Sequence, residues 1–328
     1  MIVNFGELEA EVYNIPEFTF ESGERLENLK VEYISYGKPH KNSDGLIDNL
    51  ILYIHGWSGD YGSLQRIDAI MGEDGVFDPE EFFFICISSL GSPGSASPSS
   101  TGLYKNFPEY TVTDMVNFQR QFLREKFNVT ELVGVIGNSM GGFQTIDWAC
   151  RYPEEMKFIL PLVSTYQIKG HNYALFNFMN QIIETDPDYI DNKRPERAIQ
   201  LAYQLMYSYG LSLKFYREEM SNQEIHDSLK EIQEDSANVT AEDIVWRNNA
   251  ANNYDDEQLL TEIKAKTIIV AINQDQHFPP ELNAIPLSKL IPESHLITYD
   301  SELGHIGTIE LDLVSEQLKK HLKEFKKQ

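Results

Sequence analysis

Residues 131–153 have the sequence ELVGVIGNSMGGFQTIDWACRYP, in which an apolar run leads into GNSMG (137–141) and then into a helical pattern. A serine flanked in this way, between a strand and a helix, is typical of a nucleophile elbow that holds the hydroxyl exposed. The glycines permit the sharp turn, and the start of the following helix favours developing negative charge. The stretch therefore predicts Ser139 as a catalytic nucleophile, with a glycine-rich turn without chemistry as the alternative.

Short apolar runs of a similar kind occur before and after this stretch. They are nearly continuous and rich in β-branched and aromatic residues, which is typical of strands buried on both faces of a parallel sheet. The runs are NLILYIHG (49–56), EFFFICISS (81–89), FILPLVS (158–164), KTIIVAIN (266–273) and SHLITYD (294–300). A helical pattern with Thr111 or Thr113 as its cap follows in residues 111–127. Alternating strands and helices predict an open α/β sheet with right-handed crossovers.

Two segments depart from this alternation. Residues 18–37, FTFESGERLENLKVEYISYG, alternate apolar and polar side chains around a Ser-Gly turn, which predicts a β-hairpin. Residues 165–260 contain helix formers and acids but no convincing strand, and we interpret them as a helical cap over a pocket. The predicted core domain comprises residues 1–164 and 261–328, with the cap inserted in it. A second independent domain is the alternative interpretation of the insertion.

A serine nucleophile needs a general base and an acid that orients the base, and in this arrangement the chain order is serine, acid, histidine. Asp275 follows the run KTIIVAIN and His305 follows the run SHLITYD, so both are expected at the carboxyl edge of the sheet. We therefore predict Asp275 as the acid and His305 as the base. His277, close to Asp275, is an alternative base, and Asp300 is an alternative acid.

An oxyanion hole is predicted from two backbone N–H groups. Met140 supplies the first, directly after the nucleophile. Trp57 supplies the second, because the run NLILYIHG ends in a glycine that lets the chain turn toward the serine. One such donor is typically worth about 3–4 kcal/mol of transition-state stabilisation.

Composition and charge restrict the partners. The chain has 51 acidic and 27 basic residues and a formal net charge of −24, which repels phosphate backbones and anionic lipid surfaces. We therefore expect neither nucleic acid nor membrane as a partner, and the N-terminal residues show no export signal. Cys86 and Cys150 lie in apolar stretches and are expected to be buried thiols, without a disulfide or a metal. A cytoplasmic location follows as an expectation.

These motifs resemble the homoserine O-acetyltransferase branch of the α/β-hydrolases over most of the chain. The matching segments are 18–37, HGWSGD (55–60), SSLGSPGSASPSS (88–100), FPEYTVTDMVNFQRQFL (107–123), GNSMGGFQTIDWACRYPE (137–154), TDPDY (185–189), 194–218, NQDQHFPP (273–280) and GHIGT (304–308). The resemblance implies the α/β-hydrolase fold, a mostly parallel central sheet flanked by helices, with an inserted helical cap. It also implies Ser139, Asp275 and His305 as a triad, an acyl-serine intermediate, no bound cofactor or metal, and acetyl-CoA as a co-substrate.

Two positions differ from that family where the substrate is concerned. The family has an Arg for the amino-acid carboxylate where this chain has Tyr203, and an Asp for the ammonium where it has Ile306. A phenol cannot replace a bidentate guanidinium. Tyr203 and Ile306 are therefore predicted substrate-binding positions, together with Arg217. Like Arg194 or Arg197, Arg217 supplies the missing cation if the alignment of the cap is shifted.

The sequence thus predicts a serine-nucleophile acyl hydrolase that acts on a small ester or thioester, with water or an uncharged alcohol as acceptor. One alternative is a homoserine or serine O-acetyltransferase that uses acetyl-CoA. Another is a catalytically silent binding protein of the same fold. A homodimer through the cap is a further hypothesis. Several cap aromatics are candidates either for an acyl pocket or for the core of the cap: Tyr173, Phe176, Phe178, Tyr207 and Tyr209.

Overall fold

A computed structural model describes residues 8–325 of the chain, so both outer ends of the predicted core domain, 1–7 and 326–328, lie outside the described residues. The strands are β1 (Glu11–Thr19), β2 (Arg25–Gly37), β3 (Leu50–Ile54), β4 (Phe83–Ile87), β5 (Leu132–Asn138), β6 (Met156–Leu162), β7 (Lys266–Ile272) and β8 (His295–Tyr299). They form one sheet in the order β1-β2-β4-β3-β5-β6-β7-β8. β2 pairs antiparallel with β1 and β4, and all other neighbours pair in parallel. The predicted hairpin and mostly parallel sheet are confirmed.

Helices cover the sheet. They are α1 (Val112–Phe127), α2 (Met140–Arg151), α3 (His171–Glu184), α4 (Pro187–Ile190), α5 (Glu196–Tyr207), α6 (Leu213–Glu218), α7 (Asn222–Asp235), α8 (Ala241–Asn252), α9 (Ala284–Leu290) and α10 (Ser315–Leu322). Short 3-10 helices occur at Tyr61–Ile70, Tyr104–Asn106, Ser236–Asn238, Glu257–Glu262, Gly304–Val314 and Lys323–Phe325. Within residues 8–325, no helix combines the length and apolar character needed to cross a bilayer.

The order of the elements places an all-helical segment inside the sheet sequence. α3 to α8 follow β6 and precede β7, over the range for which the sequence predicts a cap. Buried side chains of this segment, such as Leu175, Ile199 and Ile244, belong to the same hydrophobic cluster as Phe118 and Phe143 of the core. The segment therefore packs against the core through one continuous hydrophobic cluster.

Helix α1 shows how the local sequence determines where a helix begins and ends. Thr111 caps the helix, because its hydroxyl accepts from the Asp114 N–H while the Asp114 carboxylate accepts from the Thr111 N–H. Thr113, the alternative cap, instead donates to Asp147 on α2. Asn128 ends the helix in a left-handed conformation, with φ of 54°. The buried face of α1 packs on α2, which fixes the helix that follows the elbow.

Candidate active site

The turn between β5 and α2 is strained in the manner that an elbow requires. Ser139 has φ of 56° and ψ of −119°, a backbone conformation that residues other than glycine rarely adopt. Its N–H donates to the Leu162 carbonyl at 2.9 Å, which anchors the turn to β6. A Cβ atom on Gly137 would collide with the carbonyl of Gly141, and one on Gly141 with the carbonyl of Ile54. Only glycine at these positions allows α2 to begin so close to the sheet.

Three side chains from distant parts of the chain form a hydrogen-bonded row at the carboxyl edge of the sheet. His305 Nε2 lies 2.9 Å from Ser139 Oγ, and His305 Nδ1 lies 2.8 Å from Asp275 Oδ2. Because a carboxylate only accepts, the bond to Asp275 fixes the proton on Nδ1 and leaves Nε2 free to accept from the serine hydroxyl. This is the geometry of a serine nucleophile, its base and the orienting acid.

Asp275 stays ionised despite complete burial of its side chain. Burial raises its pKa, but the charge and hydrogen bond of His305, the charge of His277 and the N–H of Phe278 together lower it by more, so the pKa lies below its ordinary value. The second carboxylate oxygen accepts from the N–H groups of His277 at 2.8 Å and Phe278 at 3.1 Å. The acid is therefore held in one orientation by its own loop.

His277 and Asp300, the alternative base and acid predicted from the sequence, both lie outside the hydrogen-bonded row. The His277 ring packs against the His305 ring at 4.7 Å between centroids and has no hydrogen bond to Ser139. Burial lowers the pKa of His277 to about 3, so it is neutral at physiological pH. Asp300 is exposed and accepts from the amides of Asn273 and Gln274, each at 2.9 Å. Neither residue takes part in the row.

The predicted oxyanion donors flank the serine. Met140 is the first residue of α2, and Trp57 lies after β3 on the wall of the same cavity. Helix α8 holds Trp57 from both ends: Arg247 donates to its carbonyl at 2.5 Å, and its indole N–H donates to Asn248 at 2.8 Å. Arg247 also donates to the Gly91 carbonyl at 2.8 Å. The backbone around Trp57 is thus clamped by the helical segment.

A second buried histidine fixes the end of β3. His55 Nε2 accepts from the Ser89 N–H at 2.9 Å, so the ring proton is on Nδ1, which lies 2.7 Å from the Gly56 carbonyl. Burial lowers the pKa of His55 to about 4, which keeps the ring neutral. His55 therefore ties the loop of Trp57 to the end of β4.

A cavity of about 110 Å³ opens above Ser139. One bound water needs roughly 10–15 Å³ of such a volume, so the cavity has room for roughly ten groups of the size of a water molecule. Core and cap both line it, and its wall is formed by Tyr53, Gly56, Trp57, Ser58, Gly59, Ser63, Arg66, Asn138, Ser139, Met140, Phe143, Asn172, Phe176, Met206, Tyr207, Gly210, His277, Phe278, His305 and Ile306. The size suits a short acyl group on a small leaving group.

Known proteins share this architecture. The family described as alpha/beta hydrolase fold matches residues 49–309. A protein of Methanothermobacter thermautotrophicus named "Probable acyltransferase" is 50% identical over 94% of this chain and 96% of its own length. The chain belongs to the α/β-hydrolase family.

More distant relatives define the branch of this α/β-hydrolase. A homoserine O-acetyltransferase of Nostoc punctiforme is 28% identical over 88% of both chains. The crystal structure of an acetylester hydrolase from Corynebacterium glutamicum has a TM-score of 0.85 and 23% identity over 96% of each chain, which is a likeness of fold. The predicted fold and branch are confirmed: the chain is an enzyme of the esterase and acyltransferase kind, in the homoserine O-acetyltransferase-like branch.

The predicted substrate-binding residues are not all brought to the cavity of this α/β-hydrolase. Ile306 lies on its wall. Tyr203 is buried behind Trp57, with the ring centroids 5.1 Å apart, and is not part of the wall. Arg217 is exposed on the short helix α6, so the prediction that it contacts substrate is corrected by its position. Arg194 is occupied by Glu196 and by backbone carbonyls, away from the cavity.

The cap aromatics divide between pocket and surface. Phe176 and Tyr207 line the cavity, whereas Tyr173 and Phe178 are about half exposed on α3. The Tyr207 hydroxyl lies 2.5 Å from the Ser58 hydroxyl and joins the cap to the loop after β3. The sequence gives no sign of this contact, because it joins residues far apart in the chain.

Three residues of the site escape sequence reasoning. Arg66 lies on the cavity wall, and Arg247 and Asn248 hold Trp57 in place. The run WRNN in α8 is the one available signal, since its polar side chains interrupt a largely buried helix. In residues 8–325, no group of three or more His, Cys, Asp or Glu side chains is placed to hold a metal ion. Cys86 and Cys150 are buried free thiols, as expected.

Proposed function

We propose that this enzyme is a serine acyl hydrolase that removes a short acyl group from an ester or thioester through an acyl-serine intermediate. The observation that carries the proposal is the hydrogen-bonded row of Ser139, His305 and Asp275 at the base of a cavity. The strained turn at Ser139 presents the hydroxyl to that cavity. This combination is required for nucleophilic acyl transfer and has no evident structural purpose.

In the first half-reaction, His305 Nε2 takes the proton from Ser139 Oγ as the oxygen attacks the substrate carbonyl carbon. The carbonyl oxygen becomes an oxyanion, for which the N–H groups of Met140 and Trp57 are the proposed donors. Ionised Asp275 stabilises the imidazolium that forms. When the tetrahedral intermediate collapses, the bond to the leaving group breaks, and His305 returns the proton to that alcohol or thiol.

In the second half-reaction, water or an uncharged alcohol attacks the acyl-serine. His305 again takes the proton of the attacking hydroxyl, and the second tetrahedral intermediate collapses with release of the acid or the new ester. The proton returns to Ser139 Oγ, so the enzyme is regenerated.

The cavity wall supports water or a neutral alcohol over an amino acid as acceptor. The described wall residues include no Asp or Glu, and Ile306 follows the catalytic histidine. An ammonium group there would lose its hydration without a counter-charge, which costs far more than burying a neutral hydroxyl. A zwitterionic acceptor is therefore poorly accommodated.

An O-acetyltransferase that uses acetyl-CoA is the second candidate. The name of the Methanothermobacter relative favours it, since that protein is called a probable acyltransferase. The chemistry up to the acyl-serine is the same, and the two functions differ only in the acceptor.

The reaction as proposed needs no metal or prosthetic group, because side chains and backbone amides supply every step. We place it in the cytoplasm, where the buried thiols Cys86 and Cys150 stay reduced. A homodimer through the cap is also proposed, supported by the exposed side chains of Tyr173 and Phe178 on α3.

The test has two assays. The first measures the thiol released from acetyl-CoA with and without homoserine, and the second measures the 4-nitrophenol released from 4-nitrophenyl acetate. We expect ester cleavage that homoserine does not accelerate, and a loss of at least about a thousandfold in kcat for Ser139→Ala. Full ester cleavage by Ser139→Ala would refute the proposal. Thiol release that rises with homoserine would establish the acetyltransferase instead.

A further inference from the structure

One cation lies on the wall of the catalytic cavity without a partner. Arg66, on the 3-10 helix Tyr61–Ile70, is partly buried there. Within residues 8–325 its guanidinium makes no hydrogen bond or ion pair. Two other arginines that are at least partly buried have partners: Arg120 binds Glu155, and Arg247 donates to the carbonyls of Trp57 and Gly91. An unpaired guanidinium in a cavity is therefore exceptional in this molecule.

A buried hydroxyl beside Arg66 is also unpartnered. Tyr53, on β3, is 0% exposed and lines the same cavity, and its hydroxyl has no hydrogen-bond partner in the described residues. Arg66 is close enough for its charge to act on this hydroxyl. Buried hydroxyl groups almost always have a partner, so this one points to a group that binds there.

The third member of the group comes from the elbow itself. Asn138 precedes the nucleophile and lines the cavity, and its enclosed Oδ1 atom has no partner among the described residues. The oxygen and nitrogen of an amide are exchanged by a rotation of 180°, so this side chain can offer either a donor or an acceptor. Guanidinium, phenol and amide together supply a charged donor and two neutral ones.

We propose that Arg66, Tyr53 and Asn138 form an anion subsite that binds a carboxylate carried by the substrate. The inference rests on the proposed acyl-serine chemistry and names its substrate class: esters or thioesters with one anionic group. A guanidinium suits a carboxylate because it can donate two parallel hydrogen bonds. The described wall has no Asp or Glu to pair with an ammonium group, which favours a singly charged anion over a zwitterion.

The carboxylate has two chemical sources, the acyl part of the substrate and its alcohol part. Two substrate pairs distinguish them. On the acyl side, 4-nitrophenyl hemisuccinate is compared with 4-nitrophenyl butyrate. On the alcohol side, 3-acetoxypropanoate is compared with its neutral amide, 3-acetoxypropanamide. Each pair differs mainly in one negative charge, so the ratio of kcat/KM within a pair measures recognition of the anion.

We expect the natural protein to prefer the anionic member of one pair, and Arg66→Gln to lower that ratio by roughly tenfold to a hundredfold. Tyr53→Phe should lower the same ratio by a smaller factor. The matched control is Arg25→Gln, which removes an exposed charge on the N-terminal hairpin, paired only with Glu17, and should leave the ratio unchanged. A fall in the control would mean that overall charge, not the subsite, sets the preference.

Equal ratios for the natural protein and Arg66→Gln in both pairs would overturn the subsite. That result is separate from failure of the proposed function, because cleavage of 4-nitrophenyl acetate that depends on Ser139 would persist. Thermal unfolding of each variant checks that it is folded. If Arg66→Gln does not fold, Arg66→Lys replaces it: a lysine keeps the charge but loses the bidentate geometry, and an unchanged ratio would then contradict bidentate recognition.

Discussion

Asp275 is 3% exposed and Asp256 is 2% exposed, yet their pKa values are shifted in opposite directions. Burial raises the pKa of each. At Asp275 the main partner is His305, which together with His277 and the Phe278 N–H outweighs the burial and lowers the pKa. At Asp256 the neighbour is a second buried acid, Asp147 on α2, and the pKa rises to about 8. The comparison shows that, at similar burial, the neighbours of a buried carboxylate decide the direction in which its pKa is shifted.

The Asp147–Asp256 pair has one cation for two acids. Arg151 Nε lies 3.2 Å from Asp147 and its Nη2 lies 4.0 Å from Asp256. Burial also raises the pKa of Asp147, and one carboxylate oxygen of each acid lacks a hydrogen-bond partner. Two adjacent acids with one cation are most stable when they share a proton. We therefore expect the pair to hold one proton at neutral pH, where Asp275 is ionised.

These opposite shifts give opposite contributions to stability as pH changes. Because folding lowers the pKa of Asp275, its contribution is present above the unfolded value of about 3.9 and is lost as pH falls. Because folding raises the pKa of Asp256, its contribution is complete below about pH 4 and is lost as pH rises toward 8.

The largest expected effect is the loss of activity when the ionised carboxylate, Asp275, is replaced. Asp275→Asn should lower kcat by about 10³–10⁴-fold, because an amide that donates to Nδ1 leaves the histidine in the wrong tautomer. The N–H groups of His277 and Phe278 can still donate to the new side-chain oxygen, so the fold should persist. Steady-state kinetics with 4-nitrophenyl acetate provide the measurement. A kcat within tenfold of the natural protein would remove Asp275 from the mechanism.

The next largest effect is expected on stability, when Asp256, whose pKa is raised, is replaced. Asp256→Asn mimics a protonated carboxyl group, so it should raise the free energy of unfolding at pH 8 by roughly 1–3 kcal/mol and have little effect at pH 4. Urea unfolding at several pH values would measure both. The control is Asp255→Asn, which removes a half-exposed carboxylate that pairs with Lys169. Destabilisation by Asp256→Asn at pH 8 would mean that the carboxylate is ionised in the folded protein.

The smallest effect is expected at Asp300, the alternative acid. Asp300→Asn should change kcat/KM by less than about twofold, because the residue is exposed and an exposed substitution outside special features has little effect. The two amides that hydrogen bond to Asp300 lower its pKa, but neither belongs to the catalytic row. A loss comparable to that of Asp275→Asn would reverse the assignment of the acid.

Local sequence determined most of what could be predicted. The apolar runs identify every parallel strand, because strands buried on both faces need continuous apolar side chains. That the elbow, Asp275 and His305 lie close together could be predicted because each follows a strand, and the carboxyl ends of parallel strands meet at one edge. These features depend on short stretches of chain and on a simple topology.

The features that escaped prediction depend on contacts between distant segments. Arg66 reaches the cavity from a 3-10 helix whose sequence carries no catalytic motif, and Tyr207 meets Ser58 across 149 positions. Arg217 was misplaced because the register of the cap helices cannot be read from composition. The sequence around Asp256 does not indicate a raised pKa, since Asp256 lies in the loop after α8 and its neighbour Asp147 lies on α2, far away in the sequence.

The grip of Arg247 on Trp57 and Gly91 has a practical consequence for engineering. In this enzyme the helical insertion is not an interchangeable module. A chimaera that grafts a foreign insertion between β6 and β7 would leave two core loops without their clamp, whatever pocket the graft brought. Any such chimaera has to retain α8. The part of the insertion that can be exchanged therefore ends before that helix.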